Sequence, residues 1–438
     1  MKLRSKVAVL AAAGAFATVG ATSALAIEHQ FSGAYTLQYD VSNFNHGEVY
    51  IDGRIEDNPP VANLFEQRVR LGYTAKANDN LKLVTMFELD YSYWGNSSYS
   101  NGDRNGGGAL GADTINLETK NLYLDMNIAA INTNVKAGMQ GFDDAYKGIF
   151  VGADMAGLLF THSYSQATAT AGLFRFNDDN GYGKNTRDFL VVDGKFALNK
   201  STRLGASYYY VNSDGSSVNS GQGTVVEDLY VHMLGVNAET TMGALTLDGF
   251  LAYQFGKDRP TGTSKSAYAA NLGAKFKIAK NTLRGEVLYV SGDENNSSKN
   301  SFYTPSNESG FYSNEMVILG RDKYAMTNDA AIFYDANNKN QGIVFGSLGY
   351  DHTFTDKLAG SVNAGFAAVA EDNDNPSAYD AGQHKSDYLG TEFNAELDYK
   401  MMENLTFIAR GGYVILGDYF TSNNDNPYDV KLIAKYSF

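Results

Sequence analysis

The 438-residue chain contains no cysteine. That excludes disulfides, thiolate metal centres, covalently attached c-type haem and lipid anchorage through an N-terminal cysteine. Tryptophan occurs once and proline six times. After residue 26 there is no apolar run long enough for a membrane-crossing helix. Histidine is scarce too: His29, His46, His162, His232, His352 and His384 are scattered, without HExxH or metal-pair spacing. Neither a G-x-S-x-G elbow nor a P-loop occurs, because "GGGALG" (106–111) lacks the following lysine. The run Glu371, Asp372, Asp374 lacks the central glycine and final glutamate of a calcium loop. These absences predict no enzyme, no cofactor and no bound metal. Positive charge is also in deficit: the net charge of −14 argues against a nucleic-acid partner.

What is present points elsewhere. Residues 1–26 carry Lys2, Arg4 and Lys6, an apolar run from Val7 to about Val19, and Ala24-Leu25-Ala26. That is a charged start, a short apolar stretch and a small-x-small cleavage site, so 1–26 reads as a secretory signal peptide and 27–438 as the mature domain. The chain holds 30 Tyr, 25 Phe and 45 Gly. A length that would ordinarily mean two or three soluble domains is not divided by any linker.

From there on, segments of ten to fourteen residues alternate in polarity. Short Asn/Asp/Lys turns join them in "KANDNLKL" (76–83), "LNKSTRL" (198–204), "IAKNTLRG" (278–285), "FTDKLAGS" (354–361) and "KMMENLTF" (400–407). Between those turns lie longer polar connections such as 95–113 and 371–383. The segments number eighteen, or sixteen should those around 154–177 and 227–239 not form. Each has two faces. In 81–93, Leu81, Leu83, Phe87, Leu89, Tyr91 and Tyr93 oppose Lys82, Glu88 and Asp90. In 387–400, Leu389, Phe393, Ala395, Leu397 and Tyr399 oppose Glu392, Asn394, Glu396, Asp398 and Lys400. A soluble sandwich also alternates, but its strands average five or six residues. The pattern predicts an all-β transmembrane antiparallel up-and-down barrel with short turns at one end and long loops at the other.

The final segment, "YDVKLIAKYSF" (428–438), alternates and stops on an aromatic. With the leader and the short-turn/long-loop rhythm, it resembles the Gram-negative outer-membrane porins over the whole mature chain. No motif ties it to one solute-specific subfamily. The resemblance implies that Tyr436 and Phe438 form the signal read by the barrel-assembly machinery, and that the protein lies in the cell outer membrane among lipopolysaccharide. It also implies a homotrimer that passes small hydrophilic solutes. The last strand is expected to close against the first, around 29–42, with Phe438 facing lipid.

On that reading the polar faces form a pore wall, with Arg68, Arg70, Lys82, Glu88, Asp90, Arg175, Arg203, Arg284, Glu392, Glu396, Asp398 and Arg410 as candidates. Charges are inexpensive facing water and costly facing lipid. A barrel this wide cannot be filled by its own side chains, so loops must narrow it. Two connections are oddly apolar for a cell surface: 141–153, and "NEMVILGRDKYAM" (314–326) within the longest connection, about 293–340. Their charges, Asp143, Asp144, Lys147, Arg321, Asp322 and Lys323, are the candidate constriction residues, and only mild ion preference is expected. The competing functions are a substrate-selective channel, a surface-binding or adhesin barrel with a blocked pore, and the barrel sheath of an electron-transfer conduit. A plugged transporter does not fit, since the first strand follows the cleavage site at once.

Overall fold

The computed structural model describes residues 27–45, 55–95, 108–111, 117–179, 181–219, 224–295, 298–305, 310–311, 314–326, 330–373, 386–420 and 423–438; the leader over 1–26 lies outside them. Eighteen strands follow in chain order. They are β1 (Glu28–Ser42), β2 (Ala62–Asn78), β3 (Leu81–Tyr93), β4 (Leu117–Ile128), β5 (Thr133–Asp143) and β6 (Gly152–Tyr164). Next come β7 (Ala167–Asp178), β8 (Thr186–Ala197), β9 (Thr202–Asn219), β10 (Thr224–Met242), β11 (Leu245–Asp258) and β12 (Ser264–Ile278). The last are β13 (Asn281–Val290), β14 (Ile343–Thr355), β15 (Leu358–Ala368), β16 (Tyr388–Met402), β17 (Leu405–Leu416) and β18 (Tyr428–Ser437). Every strand pairs antiparallel with its chain neighbours, and β18 returns to β1 over Ala34↔Ser437 to Ser42↔Asp429. The sheet is therefore a closed all-β barrel of eighteen strands.

Alternation decides which way each strand faces. Leu272, Val287, Leu348, Phe366 and Phe393 stand on the outer surface, Leu348 being 71% exposed, while Phe250, Gln254, Phe345 and Lys431 on neighbouring positions are buried. Tight turns need a left-handed residue, which Asn132, Ser165, Gly243 and Ala279 supply in four of the short connections. At the seam the terminal residue is bonded in both directions. The Gly33 N–H donates to the Phe438 carbonyl (2.8 Å) and the Phe438 N–H to the Gly33 carbonyl (3.0 Å). Tyr436 and Phe438 lie outward and exposed, their rings stacked 5.7 Å apart.

Three positions depart from simple alternation. Tyr93 is buried, paired with Glu66, and not on the outer face: two β3 residues oppose one on β2 between Gln67↔Ser92 and Val69↔Leu89, which flips the parity beyond. Leu389 is likewise turned inward and buried, because Gly390 pairs with Ala367 and Tyr388 with Ala368, leaving Leu389 as the extra residue. Arg175 shares the outer side with the exposed Leu173, whereas Phe174 between them is buried, so Arg175 is not a wall residue of the lumen. β9 and β10 run to 18 and 19 residues, longer than the alternation indicated.

The buried apolar cluster lies inside the barrel, where connections fold back against the inner wall. An outer face built to meet hydrocarbon should not tolerate charge. Val287→Arg, at an exposed mid-strand site on β13, is expected to cost about 2–4 kcal/mol in a bilayer. Denaturant titration of the barrel in liposomes measures it, and a cost within about 0.5 kcal/mol, as at an ordinary wet surface, would refute a lipid-facing exterior.

Candidate functional site: the lumen and its two infolded loops

The connection between β5 and β6 folds inward around one carboxylate. Asp144 Oδ1 accepts the N–H groups of Tyr146 (2.7 Å) and Gly148 (2.9 Å), and Oδ2 those of Phe150 (2.7 Å) and Val151 (2.8 Å). Left-handed Lys147 (φ +62°) and Gly148 (φ +79°) turn these donors to a common centre. The loop then lays Tyr146, Ile149, Phe150 and Val151 onto the inner wall, with Phe150 stacked 5.8 Å from Tyr209 and Tyr146 5.4 Å edge-on from Phe250. Lys147 ties it to the far wall through Asp248 on β11 (2.7 Å) and Glu286 on β13. Burial pushes the Asp144 carboxyl up to about 6 against the pull of its four backbone donors. Asp144 is thus the anchor of the loop, not a charge open to solute. Asp143 is exposed at the end of β5, on the opposite side from the buried Phe142, and is not brought to the cluster.

The connection between β13 and β14 docks the same way on the opposite wall. Glu392 on β16, fully buried, accepts the N–H groups of Val317 (2.7 Å), Ile318 (3.0 Å) and Leu319 (2.8 Å). Two glycines make room: a Cβ at Gly412 would sit 2.9 Å from Val317 Cβ, and one at Gly365 2.6 Å from Met316 Sδ. Arg410 on β17 donates to the carbonyls of Glu315 and Met316 (3.0 Å each), ion-pairs with Glu396, and lies 3.2 Å from Asp322. Asp322 is also 2.8 Å from Lys431 on β18. Its burial opposes ionisation, but Lys431 and Arg410 outweigh that and hold its carboxyl below the ordinary value. Lys323 bridges Glu315 (2.9 Å) and Glu396 (3.1 Å), and Arg321 stacks over the Tyr334 ring at 4.1 Å. The two loops meet where the Gly310 N–H donates to the Gly148 carbonyl (3.0 Å).

The remaining candidates spread along the wall. Arg70 pairs with Glu88, with Arg68 3.6 Å from the same carboxylate and donating to the Met326 carbonyl (3.1 Å). Lys82 pairs with Asp125 (3.3 Å) and Arg203 with Glu239 (3.2 Å), both near the short-turn end. Arg284 holds Asp351 (2.6 Å) and Asn363 (2.9 Å), and Asp398 neighbours Glu396 on β16. Arg175 pairs with Asp188 outside (2.8 Å). The side chain of Asp90 lies outside the described residues. Sequence reasoning passed over Tyr324, whose ring has Lys323, Arg410 and Lys435 within 5.0–5.7 Å, and Gln254 of β11, whose side-chain amide bonds the backbone N–H and carbonyl of Tyr303 in the long connection. No alternation signal marks such residues, since their partners lie in loops.

The barrel is similar in fold to several solved bacterial proteins. The outer membrane protein OpdK of Pseudomonas aeruginosa aligns over 93% of this chain and 98% of its own, with a TM-score of 0.55 and 13% identity. Pseudomonas aeruginosa OccK2 (OpdF), solved in complex with glucuronate, aligns over 94% and 98% at 0.57 and 15%. Acinetobacter baumannii OccAB1 aligns over 95% and 99% at 0.58 and 13%. At such identities the likeness is one of fold. No protein-family description and no curated protein matches the sequence.

Two predictions follow from the docking chemistry. Glu392→Ala leaves three buried N–H groups without an acceptor, at about 1–3 kcal/mol each. The 314–326 loop is expected to become protease-sensitive while the barrel keeps its heat-resistant migration on gels; an unchanged digestion pattern would refute the anchoring role. The second concerns acid. A carboxyl held below its unfolded value stabilises above that value and loses its effect as pH falls through the folded one, so the Asp322 contacts persist through the ordinary carboxylate range and are lost only below it. Asp144, raised instead, favours its docked loop more in acid than at neutrality. Limited proteolysis along a descending pH series should therefore open 314–326 before 144–151.

Proposed function

We propose that the chain is an outer-membrane channel for passive diffusion of small hydrophilic solutes and ions. The observation that carries this reading is the division of the wall: apolar side chains dominate its outside, Arg175 and its partner Asp188 excepted, while most charged and amide side chains lie inside a closed wall too wide for those side chains to fill. The outward aromatics near strand ends, such as Tyr350, His352 and Phe354, suit the edges of a lipid slab. The same arrangement supports a setting among lipopolysaccharide, insertion by the barrel-assembly machinery through Tyr436 and Phe438, and the trimer that the family resemblance implies; chemical cross-linking in native membranes tests the last. The leader over 1–26 is tested by sequencing the N-terminus of the exported protein, with Ile27 expected first.

Current through the purified protein in planar bilayers is the deciding experiment. Discrete ohmic steps are expected, and their absence would favour an adhesin or a sheath filled by a partner. Lys147→Met removes the tie to Asp248 and Glu286, so the loop should swing and the step size rise, up to about twofold. No change in current would mean that 144–151 does not narrow the path.

A second, finer reading is selectivity for small acidic solutes. Arg70, Lys323 and Lys435 cluster beside Tyr324 on the inner wall, and a barrel of this fold has been solved with glucuronate. Liposome swelling should be faster with glucuronate than with glucose of nearly equal size, and Lys435→Glu should reverse the order. Equal rates would leave only unselective diffusion.

A further inference from the structure

One seam of the wall is incomplete. β4 and β5 pair only from Ile128↔Thr133 to Leu122↔Met139. Beyond that level β4 continues on β3 alone, down to Leu89↔Leu117, and β5 continues on β6 alone, to Asp143↔Gly152. Among the described residues no ladder pair joins 117–121 to 140–143. Both strands turn away at the same height. On β5, Gly138 adopts φ +133°, a conformation other residues avoid, and a Cβ there would lie 2.3 Å from the Leu122 carbonyl oxygen. On β4, Lys120 is extruded as a bulge between Met86↔Asn121 and Phe87↔Thr119. Side chains span the gap instead: Lys120 Nζ is 2.6 Å from Asp154 Oδ2 on β6, and Asn121 Nδ2 reaches Asp154 Oδ1 at 3.4 Å.

A cavity of about 540 Å³ occupies this place. Its lining decides what it is. Glu88, Met155 and Arg187 belong to the inner face, whereas Ala156 and Arg175 belong to the outer face, so the cavity is lined from both faces of the wall. Val151 of the infolded loop and Pro305 of the long connection also line it. Residues 118–121 lie seven to ten positions beyond Ile128, the end of β4 at the short turn. With a rise of about 3.3 Å along strands tilted about 40°, that is about 18–25 Å up, at the far edge of an apolar band about 25 Å tall. Backbone edges cannot face hydrocarbon, but at this height they meet headgroups and water.

We propose that the gap between β4 and β5 is a lateral portal that binds an amphipathic molecule with a zwitterionic head and a short apolar chain. The rim offers both signs, Lys120 and Arg175 against Glu118 and Asp154, and behind it the apolar Val151, Ala153 and Met155 lie beside the charged Glu88 and Arg187. A head of one sign would meet repulsion from half the rim, while a zwitterion meets both signs at once. The portal rests on the membrane placement proposed above, and it is independent of axial conduction.

The absence of native cysteine makes a clean test. In liposomes, Ala153→Cys places a thiol behind the portal, and Arg70→Cys places one in the lumen at a β2 position paired on both sides, with Ala34 and Glu88. A maleimide carried on a phospholipid headgroup is expected to label Ala153→Cys at least about tenfold faster than Arg70→Cys, because only an open wall admits a bilayer-confined reagent. Labelling of both by water-soluble maleimide and of neither by the lipid reagent would show a closed wall and overturn the proposal. Failure of the water-soluble reagent at Arg70→Cys would instead count against the water-filled lumen itself. Dodecylphosphocholine below its micelle concentration should slow lipid labelling about tenfold more than dodecyl maltoside does; equal protection would overturn the ligand class. Thr119→Cys, on the β4 side, serves should Ala153→Cys not fold. Its oxidation to a covalent dimer would assign the gap to a second polypeptide and refute a small-molecule portal.

Discussion

On the membrane placement proposed above, everything in this molecule hangs on satisfying the backbone where water is absent. A sheet in hydrocarbon cannot keep a free edge, so β18 must find β1, and the order of the strands follows from that closure. The seam is made specific from inside. Asp40 opposes Lys431 in register, and Lys431 lies within 2.8 Å of Asp322 and 3.4 Å of Asp429, all of them buried. A one-residue slip would turn Lys431 outward and bring Leu432 inward. Buried ion pairs are weak sources of net stability but punish the wrong partner heavily. The ladder on β1 and β18 therefore reads as a register mark. The same lysine also grips the long connection through Asp322, so barrel closure and loop docking share one charged centre.

The second constraint is volume. Eighteen strands enclose more space than their inward side chains can occupy, and this chain fills part of it with its own loops. Each docked loop carries apolar side chains inward, but its turn also exposes backbone N–H groups that must be met. A single buried carboxylate answers in both cases, from within the loop at Asp144 and from the wall at Glu392. The two solutions differ in response. Asp144 travels with its loop, so that turn stays satisfied wherever the loop goes. Glu392 stays on the wall, so the 314–326 segment is satisfied only when docked.

How much of this the sequence displays depends on the range of the signal. Strand number and face could be read because alternation is local: Leu432, Tyr436 and Phe438 announce their side within a few residues. Bulges are where local reading fails. Tyr93 and Leu389 carry the right chemistry for the outer face, but a bulge just before Tyr93 turns it in, and Leu389 is itself the extra residue of its bulge. Arg175 has the chemistry of a lumen charge and lies outside, satisfied by Asp188. The apolar runs 141–153 and 314–326 marked the infolded loops by composition. The roles of their charges were hidden, since nothing in a carboxylate's neighbours along the chain tells whether three backbone donors will reach it from 75 residues away, as they reach Glu392.

The asymmetry of the filling bears on the unpaired seam. The 144–151 loop packs on β7–β11 and is tied to β13, and the long connection packs on β14–β18. The wall from β3 to β6 receives less of either loop, and at its gap side-chain contacts such as Lys120–Asp154 replace strand pairing. It is there that Gly138 and the bulge at Lys120 divert two strands at one height. A defect without use would be costly at a level where backbone groups leave water. Here it lies at the rim of the apolar band and is framed by Lys120, Asp154 and Arg175, side chains that a lipid-buried seam would exclude. Charge placement and strand divergence thus agree on one place in the wall, and that agreement, more than either feature alone, marks it as built into the fold.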